Sequence, residues 1–147
     1  MAQRRRQRLC KSIIVTTVML LSTSCLHAQP IDAEEIAGLS AALLKVSSSV
    51  HTAVRFKNPD PALHDSELLV FSTAHMPSYL NRFNGYVLKA RQEGANSSVL
   101  VCDPEGKLAL IEDAGCTGTS DWHAPTTERT AACEFVLDLA QICPAQP

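Results

Sequence analysis

The chain has 147 residues, 46% of them hydrophobic and 19% charged, which is too short for two ordinary domains and too apolar for a disordered chain. Its formal charge of −2 is an average over unlike parts: Arg4, Arg5, Arg6, Arg8 and Lys11 precede every acid, the first of which is Asp32. Without the first 28 residues, the other 119 carry 8 basic and 15 acidic side chains, a net charge of −7, which excludes a nucleic-acid binder built on clustered Lys and Arg.

Residues 1–28 read as an export signal. The basic stretch 4–11 is followed by an apolar run of 13 residues, 12–24, with Ile13, Ile14, Val15, Val18, Met19, Leu20 and Leu21. A membrane-spanning helix needs roughly 20 residues, whereas a secretory h-region is of the observed length. Two processing sites compete. Leu26-His27-Ala28 before Gln29 is an ordinary signal peptidase site and the preferred reading. Leu21-Ser22-Thr23-Ser24-Cys25 resembles a relaxed lipobox, in which Cys25 would carry lipid and anchor the protein to a membrane. Arg5-Arg6 matches a twin-arginine signal weakly, because Arg8 stands where an aromatic is preferred.

The mature domain, 29–147, begins with a helix. Asp32 and Glu35 have capping-box spacing, and Glu34 and Glu35 suit the positive end of the helix dipole. Ile36, Leu39, Leu43, Val46, Val50 and Ala53 recur at steps of 3 and 4, so the helix extends to about Ala53. Val50, Thr52, Val54 and Phe56 also alternate as in a strand, which predicts an extended segment into Phe56. The apolar seam has the spacing of a coiled coil, but packing on the protein's own sheet is preferred because fewer than three heptads are present.

A loop at Asn58-Pro59-Asp60-Pro61 follows. A second helix starts at Asp65 or Ser66 and carries Leu68, Leu69 and Phe71. Pro77 stops or restarts it, and Tyr79, Leu80 and Phe83 continue an apolar face. Past Gly85 the pattern changes to strands over 86–91, 99–102 and 108–111, joined at Glu93-Gly94-Ala95-Asn96 and Asp103-Pro104-Glu105-Gly106. The Asn96-Ser97-Ser98 sequon reads as hairpin-turn chemistry. Residues 114–127 form a long loop tied at Cys116, and 134–137 a last strand. Helices followed by strands imply an α+β fold: N-terminal helices packed on a small antiparallel sheet, with a disulfide-stapled C-terminal part.

Four cysteines remain after processing: Cys102, Cys116, Cys133 and Cys143. An even number in an exported chain predicts two disulfides. Loop closure favours neighbours, Cys102–Cys116 and Cys133–Cys143. The gaps of 13, 16 and 9 residues contain no C-x-x-C, which argues against zinc and thiol redox chemistry. The histidines His51, His64, His75 and His123 form no H-x-x-x-H pair, and no G-x-S-x-G elbow or phosphate-binding glycine pattern occurs. His64-Asp65 reads as a helix start, and Glu112-Asp113 as a solvated turn after a strand. Asp121-Trp122-His123 is the candidate binding surface, since a Trp in a stapled loop is a common hot spot.

The export signal, the segment 110–117 and the closing Cys133-Glu134-Phe135 resemble small exported bacterial proteins of uncharacterised function, a resemblance that assigns no catalytic or binding residue. The leading expectation is a periplasmic or secreted, non-enzymatic protein that binds a protein partner in the cell envelope or serves as an accessory subunit. No cofactor, metal or nucleic acid is expected, and a membrane only if Cys25 is lipidated. A small periplasmic hydrolase or enzyme-inhibitor domain is the alternative, and it requires Glu112, Asp113, Asp121 or His123 to converge in one cleft. A lipid-anchored structural protein is the third reading.

Overall fold

The apolar stripe becomes the buried face of helix α1, Ala33–Lys57. The computed structural model describes residues 33–122 and 132–143; the export signal, Cys25, the Asp32 cap and His123 lie outside them. Ile36, Leu39, Leu43, Val46 and Val50 pack on the protein's own sheet, as the seam's length implied. The helix passes Ala53 and the expected extended segment does not form. Val54 is one turn beyond Val50 and completes the buried face, while Arg55 and Lys57 suit the negative end of the helix. Asn58 ends it in the left-handed region, φ 46°, which Asn tolerates better than most residues.

Helix α2, Asp65–Thr73, buries Leu68 and Leu69 against α1 and the sheet. Asp65 opens it as expected, but no side chain caps the helix. The Asp65 carboxylate instead accepts the Ala90 amide at 3.2 Å, covering an outward N–H of an edge strand. Pro77 restarts the chain as a short 3-10 helix, Pro77–Phe83, whose Phe83 is buried and whose Tyr79 and Leu80 pack on the same core.

Four antiparallel strands follow in the order β1-β2-β3-β4: β1 is Val87–Glu93, β2 Asn96–Cys102, β3 Ala109–Ala114 and β4 only Asp121–Trp122. Glu93 pairs with Asn96, so the β1–β2 turn is complete within Gly94-Ala95, with Gly94 at φ 60°. Ser97 and Ser98 are therefore buried strand residues rather than turn residues. At the next turn the Asp103 carboxylate accepts the amides of Lys107 (2.6 Å) and Leu108 (3.0 Å).

The pleat gives the sheet two faces. Leu88, Ala90, Val99, Val101 and Ile111 meet α1 and α2. Leu100, Cys102 and Ala109 face the other way, against the C-terminal segment with Cys133 and Phe135. That segment is not the strand expected over 134–137: Ala132 alone bridges to Leu108. Side chains of the sheet take the place of a ladder. Glu112 accepts the amides of Val136 (2.8 Å) and Leu137 (3.2 Å), Lys89 donates to the Cys133 carbonyl at 2.9 Å, and Arg91 donates to the Leu137 carbonyl and lies over the Phe135 ring. Helix α3, Leu139–Ile142, ends the segment, with Asp138 accepting the amides of Ala140 and Gln141.

Two disulfides are present, but their pairing corrects the neighbour expectation: Cys102 is joined to Cys133 and Cys116 to Cys143. The register explains why. Cys102 pairs with Ala109 at the start of β3, whereas Ala114, two residues before Cys116, pairs with Ser98. Cys102 and Cys116 thus lie at opposite ends of the β2–β3 pair, beyond the 4.4–6.8 Å Cα separation a disulfide tolerates. Residues 132–143 run along the sheet from one end to the other and supply a partner at each.

Candidate functional site

Glu112 and Asp113 decide where chemistry can be sought. Both are in β3 and wholly buried, not in a solvated turn. Successive strand residues point to opposite faces, and these two do: Glu112 reaches the C-terminal segment, while Asp113 accepts the Ser47 hydroxyl from α1. The Arg91 guanidinium also lies 3.7 Å from Glu112. The two acids therefore do not converge, and the pair that a hydrolase would have needed is divided by the sheet. Asp121 lies opposite Glu112 in β4 and is exposed. The Trp122 backbone pairs with Ile111, which places the candidate binding residue on the outer strand of the sheet.

The structure brings together a different set. Ser47 lies on the buried face of α1, and His51 follows one turn later. Opposite them is Gly115, two residues after Asp113. A Cβ at Gly115 would come within 2.4 Å of the Ser47 carbonyl oxygen and 2.7 Å of the His51 Cβ. This contact leaves space only for hydrogen and seats α1 on the end of β3. Beside it opens a cleft of about 210 Å³, lined by His51, Arg55, Asn96, Gly115 and the Cys116–Cys143 bridge.

Three buried polar atoms around this end of the sheet have no hydrogen-bond partner: His51 Nδ1, Asp113 Oδ1 and Ser97 Oγ. Burial pushes the Asp113 carboxyl above the usual carboxylate range and the charge of Asp121 adds to the shift, while the Ser47 hydroxyl opposes it. Burial, reinforced by Arg55, pushes His51 below the ordinary histidine value. Both groups are thus biased to their neutral forms. The arrangement is not a nucleophile relay. Such a relay needs an accessible hydroxyl that passes its proton to histidine, whereas Ser47 is buried and donates to Asp113.

No protein-family model matches the chain, and no curated protein or solved structure is similar to it at a significant level. Among the described residues, no cluster of three or more metal-ligating side chains occurs, and no helix is long and apolar enough to cross a membrane.

Reasoning from sequence missed Ser47, Arg55, Asn96 and Gly115, and met His51 only as a histidine without a partner. One signal was present: Ser47 stands between Val46 and Val50 on the apolar stripe, where a buried hydroxyl needs an acceptor. Nothing local identified Asp113, 66 residues away, as that acceptor.

Proposed function

We propose that this protein is exported and acts as a non-enzymatic binding or accessory protein of the cell envelope, recognising a protein partner at the stapled end of its sheet. The cleft beside the Cys116–Cys143 bridge carries this reading. His51, Arg55 and Asn96 line it together with the Cys116–Cys143 bridge, and the same sheet carries Trp122 on its outer strand. A small recess with charged and polar side chains at its wall suits a partner's anchoring side chain. The burial of Ser47 and Asp113 supports recognition over catalysis, because the groups that would do chemistry are committed to joining α1 to β3. The two disulfides support an oxidising compartment.

A photo-crosslinking residue at Asn96 or at Trp122, expressed in the native cell, tests the proposal. The same discrete adduct is expected from both positions and not from Lys45 on α1, and Arg55→Glu should deplete it. Repeated experiments without a specific adduct would count against the reading. The intact mass of the mature protein separates soluble export from anchoring: a chain beginning at Gln29 removes the lipoprotein reading, and a lipidated Cys25 establishes it.

A further inference from the structure

A second cleft lies between α1 and α2, on the other side of α1 from the stapled end, with a volume of about 340 Å³. Its polar lining consists of the hydroxyls of Ser48, Ser49, Thr52 and Ser72 together with Lys57 and His75, and no carboxylate lines it. That is notable in a domain with so many more acids than bases. Among the described residues Lys57 forms no salt bridge; its ammonium lies 5.9 Å from the centre of the Phe71 ring.

Ser72 is the most informative of these residues. It is wholly buried, it lines the cleft, and its hydroxyl has no hydrogen-bond partner. A helical Ser or Thr usually satisfies itself on the carbonyl four residues back. The next residue, Thr73, does this at 2.8 Å to Leu69, but Ser72 does not. A buried hydroxyl without a partner lowers stability, so its position at the floor of a cation-bearing cleft is what a binding site would need. The rim is apolar. Phe56 is 75% exposed, and Phe71 and Met76 are also exposed. A volume of this size is in the range of small-ligand sites.

We infer that the α1–α2 cleft binds the oxyanion head of a small amphipathic molecule, a carboxylate or phosphate on an apolar tail. Lys57 supplies the charge, Ser72 and the α1 hydroxyls donate to the oxygens, and Phe71 and Phe56 cover the tail. This site is separate from the partner-binding end and does not depend on that reading.

Calorimetric titration of the disulfide-intact mature protein with decyl phosphate, decanoate, decanol and inorganic phosphate tests it. Saturable 1:1 binding is expected for the two amphipathic anions, at least tenfold tighter than for decanol or inorganic phosphate. Lys57→Met should weaken it tenfold or more. Ser72→Ala should weaken it severalfold while leaving the melting temperature unchanged or higher, whereas a purely structural serine would lose stability and leave affinity unmoved. Co-sedimentation with equimolar phosphatidylglycerol–phosphatidylcholine vesicles, abolished by Lys57→Met, would identify a lipid headgroup as the source. Binding of the monomers without co-sedimentation would identify a free amphiphile. No saturable binding, equal affinity for decanol, or affinity untouched by Lys57→Met would each overturn the inference.

Discussion

Asp113 and Gly115 show how single residues hold α1 to the sheet, and how each can be tested. Burial raises the Asp113 pKa in the folded chain. The contribution of this group is therefore complete below its unfolded value, and it is lost as pH rises through the raised one. Asp113→Asn keeps an acceptor for Ser47 and cannot ionise. The variant should melt higher than the parent at pH 8, with the difference disappearing as pH falls toward 4 in a series of thermal melts. His51 has the opposite sign: its lowered pKa gives a contribution present above the ordinary histidine value and lost on acidification below it. At Gly115 the obstacle is steric. The nearest atom to an added methyl is the backbone oxygen of Ser47, which no rotamer change can move. Gly115→Ala should cost about 1–3 kcal/mol in urea denaturation, as overpacking of a tight contact does.

Among the elements, β3 was misjudged at its end, and the reason is chemical. The apolar run Leu108 to Ile111 announced the strand, but two adjacent acids after Ile111 looked like its end. They extend it instead, because each finds a partner on its own face of the sheet: Ser47 for Asp113, and the Val136 and Leu137 amides for Glu112. The same contact explains why 134–137 is not a strand. Its amides are satisfied by a carboxylate rather than by a ladder, so extended pairing is unnecessary. Glu112→Ala would leave those amides without their acceptor, while Arg91 keeps its pairing with Glu93 at 2.6 Å. A loss of about 1–3 kcal/mol is expected from leaving buried amides without an acceptor, and Glu112→Gln, which retains one acceptor oxygen, should lose less. Urea titration followed by far-UV circular dichroism measures both. The helices were legible to within a turn, since α1 obeys a 3.6-residue period over its whole length and Asn58-Pro59 closes it.

At the scale of the molecule, the interleaved disulfides make residues 132–143 a strap across the outer face of the sheet. Each bridge spans a long loop, 31 residues from Cys102 to Cys133 and 27 from Cys116 to Cys143. Constraint of the unfolded chain by loops of this length is worth about 3–4 kcal/mol each. Non-reducing peptide mapping checks the pairing. Trypsin, cutting after Lys107 and Arg129, should leave three peptides linked together, whereas neighbour pairing would give a linked pair and a separate peptide bridged internally. A second cut after Glu134 should then release Cys102 linked to Cys133 from Cys116 linked to Cys143.

The α+β class, the apolar face of α1, the meander and the oxidation of four cysteines were all determined by local pattern. Periodicity, turn residues and cysteine parity are properties of neighbouring residues, and a single chain displays them openly. The pairing of those cysteines, the burial of Glu112 and Asp113, and the clefts on either side of α1 were decided only by tertiary structure. Each depends on two segments tens of residues apart meeting in one register. The physical reason is the same in every case: whether a polar group faces water or a partner is set by what packs against it, and its own sequence neighbours do not contain that partner.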